Sequence, residues 1–318
     1  MNLWLPAAPC TPARCVPVSG PKVAQPRAVG RLLAGLAIVL LGLLLAPAVL
    51  HLGPRQRSRA VRAWARALVR GFGVRIRISG TGACLPLAHG SLVVANHISW
   101  LDIPLVASVA PSRMLAKSEI GRWPVLGLLA SCGGTLFVDR ERLRALPATV
   151  DRLAGVLRTG SSVTVYPEGS TWCGRSSGRF RPAAFQAALD AGVAVQPIRI
   201  TYRSADGTGT TAPAFIGADT LAASLWSVVN ARAVTAEVRV LPRIPPGLHT
   251  DRRSLAGAAQ RSVAGPGVGA VARASHRGCN GPGAQDALAS ESANRPSESV
   301  HHSVSSIPAE ASSLLTPS

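Results

Sequence analysis

A long apolar run near the N-terminus limits how this chain can fold. Residues 32–50, LLAGLAIVLLGLLLAPAVL, carry no charged side chain, and their length is about that of a helix that crosses a bilayer. We therefore predict a membrane anchor helix over 32–50, spanning or re-entrant, after a flexible N-terminal segment over 1–31. A signal peptide cleaved near Ala46-Pro47-Ala48 is the alternative, but the stretch before the run is long for one.

The residues after the run have the pattern of a basic amphipathic helix over 51–72. At 100° per residue, a cluster of arginines shares one face and Trp64 lies opposite. The arginines are Arg59, Arg62, Arg66 and Arg70. Such a helix lies in the headgroup layer with its arginines on lipid phosphates and its tryptophan buried there, although an ordinary surface helix packed on the core fits the same pattern. Arginines are more numerous after the run than before it, which favours a cytoplasmic domain at a cell membrane.

From residue 73 the pattern becomes that of an α/β domain. Short strand-like runs alternate with helical stretches, such as the one that places Leu146, Val150, Leu153 and Leu157 at helical spacing. The strand-like runs lie at 74–79, 92–95, 113–116, 135–138, 162–166 and 193–200. This alternation predicts a mostly parallel sheet flanked by helices over 73–255.

The chain changes character again at residue 256. Residues 256–318 are rich in Ala, Gly, Ser and Pro and have no hydrophobic period and no aromatic side chain. We predict that 256–318 is a disordered, low-complexity tail.

The net charge of +19 indicates an anionic partner, either nucleic acid or a surface of acidic lipids. Because the arginines do not alternate with stacking aromatic residues, and because an apolar anchor is present, we expect membrane phospholipid and no nucleic acid. The six cysteines show no CxxC pair and no regular spacing, so their pattern predicts neither a zinc site nor a disulfide framework. A reducing compartment fits this pattern.

The stretch VVANHISWLDIP at 93–104 carries the first candidate for catalysis. His97 and Asp102 lie five residues apart, or about 140° around a continuous helix, so they meet only if a turn separates them. Asn96 or Ser99 suits the cap of a new helix with Asp102 in its first turns. A carboxylate that binds one ring nitrogen leaves the other to take a proton from a substrate hydroxyl. We predict that His97 is a general base and Asp102 its partner.

More polar residues follow the other strand-like runs. Because the carboxyl ends of parallel strands meet at one sheet edge, these residues are expected to converge with His97. They are Lys117, Arg140, Glu168, Gly169 and Ser170, with Pro197 inside the last run.

Taken in order, these stretches resemble the lysophosphatidic acid acyltransferases, or 1-acylglycerol-3-phosphate acyltransferases, of the glycerolipid acyltransferase family. The resemblance covers residues 88–203. It rests on four blocks: Asn96-His97 with Asp102, Phe137–Arg140, Tyr166–Ser170 and Val195–Ile198. It implies acyl transfer from the thioester of coenzyme A or acyl-carrier protein to the free hydroxyl of a lysophospholipid, with no covalent acyl-enzyme, no metal and no other cofactor.

The resemblance also implies residue roles. His97 would be the base and Asp102 its partner, while Arg140 and Lys117 would hold the phosphate of the acceptor. Glu168 and Gly169, with Ser170 and Pro197 in the same blocks, would bind or shape the acceptor site. The first expected acceptor is 1-acyl-sn-glycerol-3-phosphate, which would give phosphatidic acid, and another lysolipid such as a lyso-aminolipid is the alternative.

One departure concerns the acceptor. Where the family often has an arginine after its Glu-Gly-Thr, this chain has Trp172 after Ser170 and Thr171. Either Arg175 or Arg179 replaces that contact, or the headgroup differs.

Other interpretations of these residues stay open. Arg140 between Asp139 and Glu141 suits a surface ion pair, and Glu168 suits a structural carboxylate at a helix terminus. The sequence GRSSG at 174–178 matches the GxSxG pattern of serine hydrolases, but a nucleophile elbow needs a strand that leads directly into Ser176. A non-enzymatic membrane-binding protein is the remaining rival.

Overall fold

The computed structural model describes residues 8–16, 21–80, 90–139 and 143–265. Its strands are β1 (Arg75–Gly80), β2 (Ser91–Ala95), β3 (Arg113–Lys117), β4 (Leu136–Val138), β5 (Val163–Val165), β6 (Ala194–Arg203) and β7 (Thr235–Val240). Its α-helices are α1 (Pro12–Cys15), α2 (Gln25–Leu50), α3 (Pro54–Gly71), α4 (Asp102–Ala107), α5 (Pro124–Cys132), α6 (Leu146–Arg158), α7 (Ala183–Asp190), α8 (Leu221–Asn230) and α9 (Arg252–Ala264). Short 3₁₀ turns occupy Ser118–Arg122 and Leu143–Ala145.

The strands form one mixed sheet in the order β1-β7-β6-β2-β5-β3-β4. The five strands from β6 to β4 are parallel to one another. β7 runs antiparallel to β6, and β1 pairs parallel with β7. The prediction of a mostly parallel sheet flanked by helices is confirmed, and the carboxyl ends of β2, β3, β4 and β5 therefore share one edge of the sheet.

Two hydrophobic layers cover the sheet. Side chains alternate along β2, so that Val93 and Ala95 join the layer that α3, α4 and α8 complete, whereas Leu92 and Val94 join the layer under α6, α7 and α9. This two-sided burial explains the continuous apolar runs in the parallel strands. Each fully buried Leu or Val side chain contributes about 1.5–3 kcal/mol to the free energy of unfolding.

The apolar run lies in α2, which is longer than the predicted 32–50 and has the length and composition of a membrane span. α3 packs antiparallel to it, forming a helical hairpin. A Cβ atom built at Gly35 would meet the Phe72 ring at 2.3 Å, and one built at Gly42 would meet Trp64 Nε1 at 2.2 Å. The helices approach this closely because these positions carry no side chain.

The face of α3 that carries Trp64 packs on the protein. Trp64 Nε1 donates a hydrogen bond to the Ile38 carbonyl at 2.9 Å, so the indole packs on α2. Leu68 on the same face is buried in the core. α3 thus follows the alternative prediction of a helix packed on the protein, because the glycines of α2 leave room for its apolar face.

The boundary predictions at both ends of the domain also need correction. In the segment predicted to be flexible over 1–31, Cys10 and Cys15 are buried, and Thr211 Oγ1 donates to the Cys15 carbonyl at 2.7 Å. At the other end α9 continues to Ala264, past the predicted start of the tail at 256. The remaining predicted tail, 266–318, lies outside the described residues.

α9 is held by buried and capping contacts. Leu255, Ala259 and Val263 face the core, and the Asp251 side chain accepts from two backbone N–H groups of the first turn. Alanine and glycine fill much of the helix and leave a weak hydrophobic period, so the sequence pattern did not reveal it.

Candidate active site

The turn between β2 and α4 brings His97 and Asp102 together. Asp102 is the first residue of α4, and its Oδ2 accepts from the backbone N–H groups of Ile98 at 2.6 Å and Ser99 at 2.8 Å. The predicted cap by Asn96 is wrong, whereas Ser99 Oγ accepts from the Leu101 N–H at 3.3 Å in the turn that leads into α4. Asn96 instead extends the sheet, exchanging two hydrogen bonds with the backbone of Ile200.

Asp102 is fully buried and orients the histidine. Its Oδ2 lies 2.9 Å from His97 Nδ1, and its Oδ1 accepts from Tyr202 Oη at 2.7 Å. An acceptor-only carboxylate selects the His97 tautomer that carries its proton on Nδ1. Nε2 is then the proton acceptor, and the His97 side chain, which is 19% exposed, is within reach of a substrate. This geometry suits a general base.

Tyr166 fixes the plane of the imidazole. The two rings are stacked, with centroids 4.0 Å apart and an interplanar angle of 17°. Tyr166 Oη is buried and has no hydrogen-bond partner among the described residues. Burial raises the pKa of Tyr166 well above its ordinary value, so the phenol stays neutral next to the histidine.

Glu168 holds the backbone on both sides of the site. Its Oε2 accepts from the His97 N–H at 2.7 Å and its Oε1 from the Gly178 N–H at 3.0 Å. The carboxyl is only 3% exposed, and burial raises its pKa to about 8 although both backbone hydrogen bonds act in the opposite direction. Glu168 therefore supports the site from beneath, and direct contact with an acceptor does not fit its burial.

The loop after β5 is joined directly to the histidine. The Trp172 N–H donates to the His97 carbonyl at 2.8 Å. Gly169 begins this loop with φ +76°, a conformation that L side chains rarely adopt. Ser170 beside it is half-buried. The departure at Trp172 thus occurs in a loop that bonds to the turn between β2 and α4.

The remaining predicted site residues differ in position. Lys117 ends β3 and is exposed at the same sheet edge as His97. Pro197 is buried within β6, where it pairs with Val94 and accepts from the Leu241 N–H at 3.1 Å, so its ring packs inside the protein and the predicted acceptor contact does not fit. Arg140 lies outside the described residues.

The sequence prediction missed Tyr202. The residue is buried at the end of β6, on the same face as Ile198 and Ile200. The predicted strand ended at residue 200, and extending its period of two by one step would have included the tyrosine.

The GxSxG sequence has no nucleophile-elbow geometry. β5 ends at Val165 and α7 begins at Ala183, so Ser176 lies in a long connection rather than between a strand and a helix. Its Oγ lies near the sulfur atoms of Cys10 and Cys173. The fold does not support the hydrolase interpretation.

Comparison with known proteins gives concordant matches. Residues 75–201 match the Acyltransferase family. The chain is 38% identical to the lyso-ornithine lipid O-acyltransferase of Pseudomonas aeruginosa. The match spans 208 residues, which are 65% of this chain and 78% of that protein. The chain is 33% identical to the 1-acyl-sn-glycerol-3-phosphate acyltransferase of Neisseria gonorrhoeae. This match spans 185 residues, which are 58% of this chain and 71% of that protein.

A solved structure shows the same fold. The 1-acyl-sn-glycerophosphate (LPA) acyltransferase of Thermotoga maritima superposes with a TM-score of 0.59 at 17% identity, covering 75% of this chain and 94% of that one. At this identity the likeness concerns the fold alone.

Proposed function

Because this chain belongs to the acyltransferase family, we propose that it transfers a fatty acyl group to the free hydroxyl of a lysolipid, with 1-acyl-sn-glycerol-3-phosphate as the principal acceptor. The observation that carries the proposal is the pair of His97 and the buried Asp102, in which Nδ1 is bound to the carboxylate and the His97 side chain is 19% exposed. The proposed donor is the thioester of coenzyme A or of acyl-carrier protein.

The proposed reaction needs one base and no covalent enzyme intermediate. His97 Nε2 takes the proton of the lysolipid hydroxyl while the hydroxyl oxygen attacks the thioester carbonyl. The tetrahedral intermediate then collapses, the C–S bond breaks, and the thiolate leaves with the proton that His97 returns. Asp102 stays ionised and stabilises the transient imidazolium, and the Tyr202 hydroxyl holds the carboxylate in place.

Basic residues at the sheet edge support a phosphate-bearing acceptor. Lys117 is exposed at the end of β3, and we propose that it binds the acceptor phosphate together with Arg140, which lies outside the described residues. A guanidinium meets two phosphate oxygens at once, whereas an ammonium offers a point charge.

A lyso-ornithine lipid is the second candidate acceptor. It is favoured by the higher identity to the Pseudomonas aeruginosa protein, 38% against 33%. The Trp172 departure points the same way, because it lies in the loop bonded to His97.

A competition assay tests the function and the acceptor together. Membranes that contain the wild type or the His97→Ala variant receive equal amounts of both lysolipids, with acyl-CoA or acyl-carrier protein as donor, and products are identified by mass. We expect phosphatidic acid to form faster than the diacylated ornithine lipid, and only with the wild type. Faster acylation of the ornithine lipid would assign the second acceptor, and equal products from both proteins would refute the catalytic assignment.

We also propose that the hairpin of α2 and α3 attaches the enzyme to the membrane from the cytoplasmic side. The outer part of α2 exposes a series of leucines: Leu33, Leu36, Leu40, Leu41, Leu44 and Leu45. The segments that precede and follow α2 both contact the α/β domain. Before α2, the Val23 N–H donates to the Asn230 carbonyl, and after α2, helix α3 packs on the core. This arrangement supports a re-entrant anchor, with the arginines of α3 near acidic headgroups.

A further inference from the structure

Three cysteines that are far apart in the sequence meet inside the protein. Cys10 and Cys15 come from the segment before α2, and Cys173 comes from the loop after β5. Their Sγ atoms all lie within 4.8 Å of one another, and their exposed fractions are 2%, 2% and 0%. Their irregular spacing gave no sign of this cluster, because the tertiary fold alone brings them together.

The backbone around the cluster is fixed. The Cys15 carbonyl accepts from Thr211 Oγ1 at 2.7 Å, and the Cys15 N–H donates to the Thr11 carbonyl at 3.0 Å within α1. A fourth polar atom borders the cluster, since Ser176 Oγ lies 3.9 Å from Cys10 Sγ and 3.7 Å from Cys173 Sγ. Three buried thiols thus lie close together, and a half-buried hydroxyl borders two of them.

This donor set favours an ion that binds thiolates, such as zinc. Tetrahedral zinc, with Zn–S bonds of about 2.3 Å, places its sulfur ligands about 3.8 Å apart, a separation that small side-chain rotations reach from the observed cluster. Hard cations such as magnesium and calcium take oxygen ligands instead. Iron–sulfur clusters are commonly held by four thiolates, which exceeds the three cysteines gathered here.

We propose that Cys10, Cys15 and Cys173 bind a single zinc ion as thiolates, with Ser176 or a water molecule in the fourth position. Binding releases the three thiol protons to solvent and leaves a complex of net charge −1. The proposal is independent of the acceptor and of the catalytic assignment, because it rests on the cysteine cluster alone.

The location of the cluster gives the ion a structural role. Trp172, next to Cys173, donates its N–H to the His97 carbonyl, so zinc would tie the N-terminal segment to the loop that supports the catalytic turn. Structural zinc sites stabilise the elements that they join. We therefore expect removal of the ion to lower the melting temperature and to slow acyl transfer.

Metal content provides the primary test. The full-length chain, free of any polyhistidine tag, is purified in detergent with reductant and without chelator, and its zinc, copper and iron are measured by elemental analysis. We expect one zinc per chain in the wild type and a loss of this zinc in Cys15→Ser. Cys132→Ser is the matched control, since Cys132 lies on α5, outside the cluster, and we expect it to keep the zinc.

A second measurement guards against misfolding of the variant. Zinc is removed from the wild type with a chelator under reducing conditions, and cobalt is added. Thiolate-to-cobalt charge-transfer absorption and tetrahedral d–d bands should appear in the wild type and in Cys132→Ser. Wild type without stoichiometric zinc, with copper or iron in its place, or with a disulfide between cluster cysteines would overturn the proposal, as would retention of the zinc by Cys15→Ser.

Discussion

His97 and Asp102 have different roles in the proposed reaction, so their substitutions should lower kcat/KM to different extents. His97→Ala removes the base, so kcat/KM should fall by about 10²–10⁴-fold, the usual contribution of general base catalysis. Asp102→Asn should lose less, because an amide oxygen can still accept from Nδ1 while its NH₂ group faces the hydroxyl oxygen of Tyr202. Single-turnover kinetics on folded proteins, verified by circular dichroism, measure both. A larger loss in Asp102→Asn would contradict this ranking.

Two substitutions of Tyr166 separate the effect of its ring from the effect of its hydroxyl group. Tyr166→Phe keeps the stack on His97 and removes a buried hydroxyl that has no partner among the described residues. An unsatisfied buried polar group costs about 1–3 kcal/mol, so the free energy of unfolding should rise and activity should stay near that of the wild type. Tyr166→Leu should instead slow the reaction. Denaturant titration and kcat measure the two effects, and a large loss of kcat in Tyr166→Phe would show that the hydroxyl acts in the reaction.

Glu168 should make stability depend on pH. Its pKa is about 8 in the folded protein against an ordinary 4.5, so between these values the folded state holds a proton that the unfolded chain has lost. The contribution of this group to the free energy of unfolding is therefore complete below pH 4.5 and is lost as the pH rises through about 8.

The matched variant for this prediction is Glu168→Gln. Its amide places an NH₂ group against one of the two N–H donors, so we expect lower stability than the wild type near pH 5 and a flatter dependence between pH 5 and 8. Urea titrations across this range compare the slopes. Equal slopes in the two proteins would show that Glu168 ionises outside this range.

At the scale of elements, the glycines of α2 determine how closely the helical hairpin packs. Gly42→Ala places a Cβ atom 2.2 Å from Trp64 Nε1 and disturbs its hydrogen bond to Ile38. Overpacking of this kind costs about 1–3 kcal/mol, so the melting temperature in detergent should fall. Gly30→Ala is the matched control on the same helix, where a Cβ meets nothing within 4 Å, and it should be neutral or slightly stabilising. Equal effects of the two changes would contradict the observed packing.

The strands and helices that could be predicted from the sequence have a clear local pattern of apolar residues. β2, β3, β5 and the start of β6 are apolar runs, and α6 has a clear helical period that ends before Gly160. β7 was missed although Ala236, Val238 and Val240 are buried at alternate positions, because alanine is a weak marker of a buried strand.

The same distinction applies to the site. The contact between His97 and Asp102 was predictable because five residues and one turn join them. The contacts of Tyr202 with Asp102 and of Glu168 with the His97 N–H were not, because they cross 100 and 71 residues of sequence. No local period encodes which strands become neighbours, and strand order alone brings these side chains to the turn between β2 and α4.

At the scale of the whole molecule, the fold restricts how the chain meets a bilayer. α2 has 26 residues and is therefore about 39 Å long at 1.5 Å per residue, enough to cross. A single crossing would nevertheless separate residues 8–16 and 21–23 from the domain on which they pack. Arg31 donates to the carbonyls of Val229 and Ala231, which are more than 190 positions away, and separating the two would break these contacts and expose Cys10 and Cys15.

We therefore predict that both termini lie on the same side of the membrane. An epitope tag is fused to each end, and protease is added to spheroplasts and, separately, to inverted membrane vesicles. Because the arginines follow α2, both tags should be protected in spheroplasts and cleaved in inverted vesicles. Cleavage of both tags in spheroplasts would keep the re-entrant hairpin but reverse its side. Cleavage of only the N-terminal tag in spheroplasts would mean that α2 crosses the bilayer, and residues 8–16 would then have to leave the core in which Cys10 and Cys15 are buried.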